Sequence, residues 1–376
     1  RPPRLRRQLV VQSARDIARK WKNRQYRLIN LLEAALLAIL LAFIVRSPES
    51  GKAYGYGQAS DVPHCLCIAV IVAIFMGLTV SAEELFRDRL MRKREQNLRL
   101  NWSAYLTAKS SVLFGISAIQ TLLFAALSHI ILELPGQFVA YWFTLFSVAA
   151  CANMFGLVLS LLFNSVRVIY LAIPLFIIPQ LMLGGAIVTF DKLNPGISRP
   201  SGVSPIGQVM ISRWGFEALT TLFAAETPYS KALHESNATL ARSSFLRDRW
   251  HPEMLRQLDR AHQGDESALR TIASEWNTLY ERGELAISIP FEDGIDSTEK
   301  ALLTEELQQY REIQRQAWRN AKSRKDQVLQ QKGWDDPVLG AAVKDRQYNQ
   351  VLIDWTTQDQ MLNSGIAVHN NKIINT

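Results

Sequence analysis

Residues 62–80 read VPHCLCIAVIVAIFMGLTV, and residues 81–109 read SAEELFRDRLMRKREQNLRLNWSAYLTAK. The first stretch has no Asp, Glu, Lys or Arg over nineteen positions. At about 1.5 Å of rise per residue it is long enough to cross the hydrocarbon core of a bilayer as a helix. The second stretch carries seven Lys or Arg against four acids and contains neither Gly nor Pro. An apolar run emptying into a charged, helix-forming segment points to a helical membrane protein, because a helix satisfies all its backbone groups inside lipid. The segment 81–109 reads as an amphipathic helix on the membrane surface, with a solvated loop as the alternative.

Four further apolar runs lie at 28–45, 111–132, 138–163 and 168–190, the first interrupted by Asn30 and Glu33. The expected architecture is all-α: a polytopic domain of five spans over 28–190, then a different kind of protein. The first run follows a basic segment and precedes further spans, which excludes a cleaved signal peptide.

The net charge of +8 is unevenly placed. Residues 1–27 hold ten Lys or Arg against one acid, Asp16, whereas from 191 onward there are 22 basic and 25 acidic residues. The basic segments at 1–27 and 81–109, with Arg167 between the fourth and fifth spans, therefore mark the cytoplasmic side. Everything beyond 190 is expected outside the cell (inner) membrane. The RPPRLRR run at 1–7 is compatible with nucleic acid, but a juxtamembrane segment drawn to anionic lipid is the favoured reading. All three cysteines, Cys65, Cys67 and Cys151, fall in or beside spans, so the outer part has no disulfide to staple it.

Beyond the fifth span, 191–225 begins rich in Pro, Gly and Ser and continues as QVMISRWGFEALTTLFAA at 208–225, expected to be an interfacial or re-entrant helix with Arg213 and Glu217 paired four residues apart. Residues 226–376 read as a soluble, mainly helical domain. Leu269, Ile272, Trp276 and Leu279 form one apolar face ending at Gly283, and Asp296 with Glu299 opens a second helix running toward Gly333. Two long helices with single apolar faces suggest an antiparallel bundle.

No phosphate loop, nucleophile elbow or HExxH is present, and His64, Cys65 and Cys67 read as buried residues rather than a metal site. No catalytic or metal residue is expected. Intramembrane polar groups are Glu33, His129 and Asn153. Glu33 is favoured as a snorkelling or ion-paired carboxylate over one that handles protons or substrate. In the fifth span Pro174, Pro179, Gln180, Gly184 and Gly185 predict a kinked helix, serving either packing or a substrate path.

The order of these elements resembles the transmembrane domain of the G subfamily of ABC transporters, the White and pleiotropic-drug-resistance type. Asp88 and Arg89, then Arg94 and Glu95, stand in DRLMRKRE where the family has its paired charges after the second span. Tyr105 and Lys109 fit the Tyr and Lys that lead into the family's third span. IPLFIIPQLMLGG and SRWGFEAL also look like family segments. The resemblance covers about 5–225. It implies a coupling role toward an ATPase domain for Glu84, Asp88, Arg89, Arg94 and Glu95, and a dimer with the substrate path near the second and fifth spans. It further implies ATP and Mg in an ABC ATPase domain fused upstream or separate, and a sixth span beyond this chain. The expected function is the membrane part of an exporter of a hydrophobic or envelope-related substrate, with a possible extracytoplasmic partner and no nucleic acid. The alternative is a non-transporting anchor displaying a helical sensing or binding domain.

Overall fold

The computed structural model describes residues 5–45, 55–89, 101–184, 205–285, 295–357, 366–369 and 372–375. The chain divides into two compact units. One is Arg1–Thr227 with Asp345–Thr356; the other is Pro228–Lys344 with Thr357–Thr376.

The first unit opens with α1 (Leu5–Lys22) and α2 (Arg24–Val45), then α3 (Val62–Ser81) and the single turn α4 (Glu84–Arg87). After the undescribed residues 90–100 come α5 (Trp102–Ile131), α6 (Phe138–Leu162) and α7 (Val166–Met182), followed by α8 (Pro205–Val209) and α9 (Ile211–Ala225). Among the described residues four helical stretches are long and apolar enough to cross a membrane: Arg24–Ile44, Val62–Arg87, Trp102–Ile131 and Phe138–Leu162. The fifth, Val166–Met182, is shorter, and the rest of the expected span at 185–190 lies outside the described residues. The third span starts nine residues before the expected 111. Asn101 caps it by accepting from Ser103 N at 3.0 Å, and Tyr105 and Lys109 in its first turns are buried against neighbouring elements.

The second span is the axle of this unit. Of its most apolar window 72% is buried, against 22% for the first span. α3 packs on α2, α5, α6, α7 and α9. Its closest neighbour is α6, where small residues let the backbones approach: a Cβ on Gly77 would stand 2.4 Å from the carbonyl oxygen of Ala149, and one on Gly156 would stand 1.9 Å from Ser81 Oγ. Leu36, Phe43, Leu122, Phe143, Leu171 and Leu175 instead point outward, as a bilayer solvent allows.

α9 lies against α3 and α6 through Gly215, Phe216, Leu219 and Phe223, while Arg213 Nη2 bonds Glu217 Oε2 at 3.1 Å on its exposed side. The returning segment around α15 (Gln350–Thr357) also belongs to this unit. Asn349 donates to Tyr56 O at 2.6 Å and Ala59 O at 2.8 Å, and Leu352 is fully buried in the same core as the spans.

The second unit contains α10 (Pro228–Phe245), a π turn at Leu246–Trp250, α11 (His251–His262), α12 (Glu266–Glu281), α13 (Ser297–Gln331) and most of α14 (Pro337–Gln347). A short antiparallel hairpin, β1 (Ile366–His369) with β2 (Lys372–Asn375), is added to the helices. Asp296 and Glu299 form a reciprocal capping box at the start of α13, and α12 stops where Gly283 takes φ 69°. The two long helices do not pair chiefly with each other. α12 packs chiefly on α11 and α13 on α10, while Trp250, Met254, Leu258, Ile272, Trp276, Leu303 and Leu307, from the π turn, α11, α12 and α13, share one core.

Candidate functional site

α1 carries polar residues at every fourth position: Gln8, Gln12, Asp16 and Lys20 fall on one stripe. That stripe faces inward and is buried, while Val10, Val11, Ile17 and Trp21 on the other side are exposed. The polar stripe meets the end of the second span and the start of the third. Lys109, with a side chain 4% exposed, sits at the centre and points one N–H at each of three carboxylates: Asp16 at 2.7 Å, Glu84 at 2.8 Å and Asp88 at 2.9 Å. An ammonium has three donors, so all are used.

Further donors to these carboxylates come from α1 and α5. Arg19 donates to Asp88 at 2.7 Å and Asp16 at 2.8 Å, Lys20 pairs with Glu84, and Tyr105 Oη donates to Asp88 Oδ2 at 2.8 Å. Three acids and three bases thus cancel inside a largely dry site, the condition under which buried charges are tolerated. Burial pushes the Asp88 carboxyl up, but Lys109, Arg19 and Tyr105 together outweigh it and hold the group at about 2. Burial lowers the Lys20 ammonium, against the pull of Glu84. A cavity of about 70 Å³ is bordered by Gln12, Arg15, Asp88 and Tyr105, and among the described residues Gln12 Oε1 and Asp16 Oδ2 have no donor.

Arg89 faces the other way. It donates to Leu161 O and Phe163 O at 2.9 Å and to Ser160 O at 3.3 Å, and pairs with Asn164, so a guanidinium closes the carbonyl end of α6. The Phe86 amide donates to Ser160 Oγ at 2.9 Å. The short segment 84–89 is therefore bolted on one side to α1 and α5 by charge and on the other to α6 by a helix cap.

Of the residues singled out in the sequence, Glu84, Asp88 and Arg89 come together at this junction; Arg94 and Glu95 lie outside the described residues. Glu33 is partly buried on α2. Asn153 donates to Ser117 Oγ across α5 and α6 at 2.9 Å. His129 stands edge-on to Phe138 with ring centres 5.5 Å apart. Pro174 and Pro179 lie within α7; Gln180 is buried and ties α7 to α9, accepting from Ser212 N at 3.0 Å while its carbonyl receives Ser212 Oγ at 2.6 Å. Gly184 lies close to Ser212, and Gly185 is outside the described residues. Sequence reasoning missed Asp16, Arg19 and Lys20. The available signal was Asp16 itself, the lone acid among ten basic residues.

Apolar helices of spanning length, a central second span and a buried charge cluster where the spans meet a basic surface helix define a multi-pass membrane domain of the permease class. The family model for the ABC-2 type transporter matches residues 7–223, more than half of the chain, and the chain belongs to that family. It is the membrane component of an ABC transporter, a kind of domain that is not itself catalytic and works with an ABC ATPase, generally as a dimer. A comparison with curated proteins found no match.

Proposed function

We propose that this chain is the permease part of a G-subfamily exporter, and that the segment around 84–89 carries closure of the ATPase domain into the spans. ATP and Mg would be held by that ATPase domain, upstream on the same polypeptide or on a separate chain, and two permease copies would flank the substrate path. The basic end of the spans would face the cytoplasm of the cell (inner) membrane, placing 226–344 outside. The cargo would be hydrophobic or envelope-related. The exposed apolar face of α1, beside its arginines, would lie along the headgroups, as an amphipathic helix at a membrane surface does.

The observation that carries this reading is the grip of Lys109 on Asp16, Glu84 and Asp88. It joins three elements at the point from which residues 90–100 leave, and Arg89 adds the fourth span. A push on 90–100 would then move α1, α3, α5 and α6 together instead of bending one loop, since buried charges paired across elements have few alternative arrangements.

The test uses the full-length protein with its ATPase in proteoliposomes. Arg89→Ala and Glu84→Gln are expected to retain basal ATP hydrolysis while losing both substrate stimulation and transport. Transport at the unsubstituted rate in both folded variants would refute the coupling role. Absence of any ATP dependence in the unsubstituted protein would favour the membrane-anchor reading.

A further inference from the structure

At one end of the second unit, cationic and apolar groups collect on a surface that faces outward. Over 319–332, the end of α13 and the residue that caps it carry Arg319, Lys322, Arg324, Lys325 and Lys332 against Asp326 alone. The chain then turns at Gly333, where φ is 65°, into α14, which buries none of its residues. Val338 and Leu339 in its first turn are 79% and 62% exposed. This presentation is built rather than loose. Asp336 caps α14 by accepting from Val338 N at 2.8 Å and Leu339 N at 3.1 Å, and Gly340 packs so closely on Trp334 that a Cβ would stand 2.1 Å from its carbonyl oxygen.

Both chain links of the second unit leave from this end. α10 runs antiparallel to α13: the Tyr229 and Trp334 rings lie 5.0 Å apart, and Glu235 pairs with Arg324 at 3.5 Å. The entry to the unit at Pro228 is thus at the same end as Lys332 and Trp334. The exit at Lys344 is there too, since Lys344, after burial, helps to lower the Lys325 ammonium. Both links are short. Pro228 is three Cα steps from Ala225, the last residue of α9, a reach of about 11 Å. Asn349 follows Lys344 by five steps, about 17 Å, and is anchored to the loop just before the second span. The end of α9 itself lies level with the start of the fourth span, where Gln137 Nε2 donates to Glu226 O at 2.8 Å. Both chain links between the units therefore leave from the cationic end of α13.

We propose that this end of the second unit is a membrane seat, with Val338 and Leu339 entering the headgroup layer and Lys322, Lys325 and Lys332 holding anionic phospholipid. Apolar side chains rimmed by cations within a short tether of a bilayer match a lipid surface, which offers both an apolar layer and a sheet of negative charge. An acidic protein surface would meet the lysines but leave the exposed Val338 and Leu339 without an apolar partner. The proposal requires only that the spans cross a bilayer, so it stands or falls apart from the coupling role.

The experiment labels the full chain, with the exposed Cys151 replaced by Ser, through Val338→Cys and separately Leu339→Cys, using an environment-sensitive fluorophore. Ile313→Cys serves as the reference, exposed on the same α13 about 27 Å before its end. The protein is placed in nanodiscs of phosphatidylcholine with or without phosphatidylglycerol, containing a lipid with a nitroxide near the headgroup. The expected result is strong quenching at 338 and 339 and little at 313. Quenching should fall when phosphatidylglycerol is omitted, when Lys322, Lys325 and Lys332 are changed together to Gln, or at about 1 M salt, where the Debye length is about 3 Å. Equal quenching at 338, 339 and 313 would overturn the seat. Quenching indifferent to lipid charge and to the lysines would overturn the anionic-lipid assignment. Labels shielded from aqueous iodide yet untouched by the lipid nitroxide would assign the surface to a protein partner instead.

Discussion

At the scale of single residues the charged junction makes the sharpest demands. Lys109 neutralises three carboxylates whose own solvent is gone, so Lys109→Met leaves Asp16, Glu84 and Asp88 with two cations between them. Breaking a buried ionic cluster from one side costs about 3–5 kcal/mol. A large drop in the midpoint of thermal unfolding in detergent is expected, and an unchanged midpoint would mean that the cluster is wetter than its geometry indicates. Asp88 also sets an acid limit. Its carboxyl titrates at about 2 here against an ordinary 3.8, so its stabilisation is complete above 3.8 and disappears as pH falls toward 2. The contribution is on the order of 1–2 kcal/mol after allowance for solvent screening. Asp88→Asn should lower stability at neutral pH and flatten its decline between those two values, as measured by unfolding midpoints across a pH series. Arg89→Ala removes a charged cap from the fourth span and should cost about 1 kcal/mol, much less than Lys109→Met.

At the scale of elements, what was legible was periodicity and what was not was partnership. An apolar run without charges has one stable form in lipid, so the helices at 62–80 and 138–163 were readable from their letters alone. The capping box at Asp296 was readable for a similar reason, since its bonds connect residues three apart. The start of the third span was not, because Lys109 looks like the end of an apolar segment until three carboxylates arrive from elsewhere. The pairing of α13 with α10 was equally hidden, since α10 has a diffuse apolar pattern. The crossing of α3 and α6 gives an element-scale prediction. Gly77→Ala places a methyl against the backbone of α6 rather than against a side chain that can rotate, so the helices must separate. A loss of about 1–3 kcal/mol is expected from overpacking, read as a lower unfolding midpoint. The same substitution at Gly115, where nothing stands within 4 Å of a new Cβ, should be close to neutral.

At the scale of the whole molecule, the chain leaves the membrane unit at Thr227 and rejoins it at Asp345. Each unit has its own buried core. Replacing Pro228–Lys344 by a flexible linker, with Asp345–Thr356 retained, should therefore leave the membrane unit folded in detergent. Removing Asp345–Thr356 as well should lower its unfolding midpoint, because Leu352 and the two bonds from Asn349 to Tyr56 and Ala59 are lost. An equal midpoint for both deletions would show that the return segment contributes nothing.

The sequence by itself determined that this is a helical membrane protein, which end of its spans is basic, and that a helical part without runs of spanning length comes after them, because these depend on run length, local charge and local capping. Glu84, Asp88 and Arg89 could be marked as candidates from their positions. Only the tertiary structure decided that Asp16, Arg19 and Lys20 complete their site, that Arg89 closes the fourth span, and that Asn349 belongs with Tyr56. The physical reason is separation along the chain. Asp16 and Lys109 are 93 residues apart, and Asn349 and Tyr56 are 293 apart, and no local rule of pattern or spacing ties such pairs together. Their meeting is a consequence of how the spans pack, and the basic segments that looked like a simple charge bias become the frame of a neutral, buried junction.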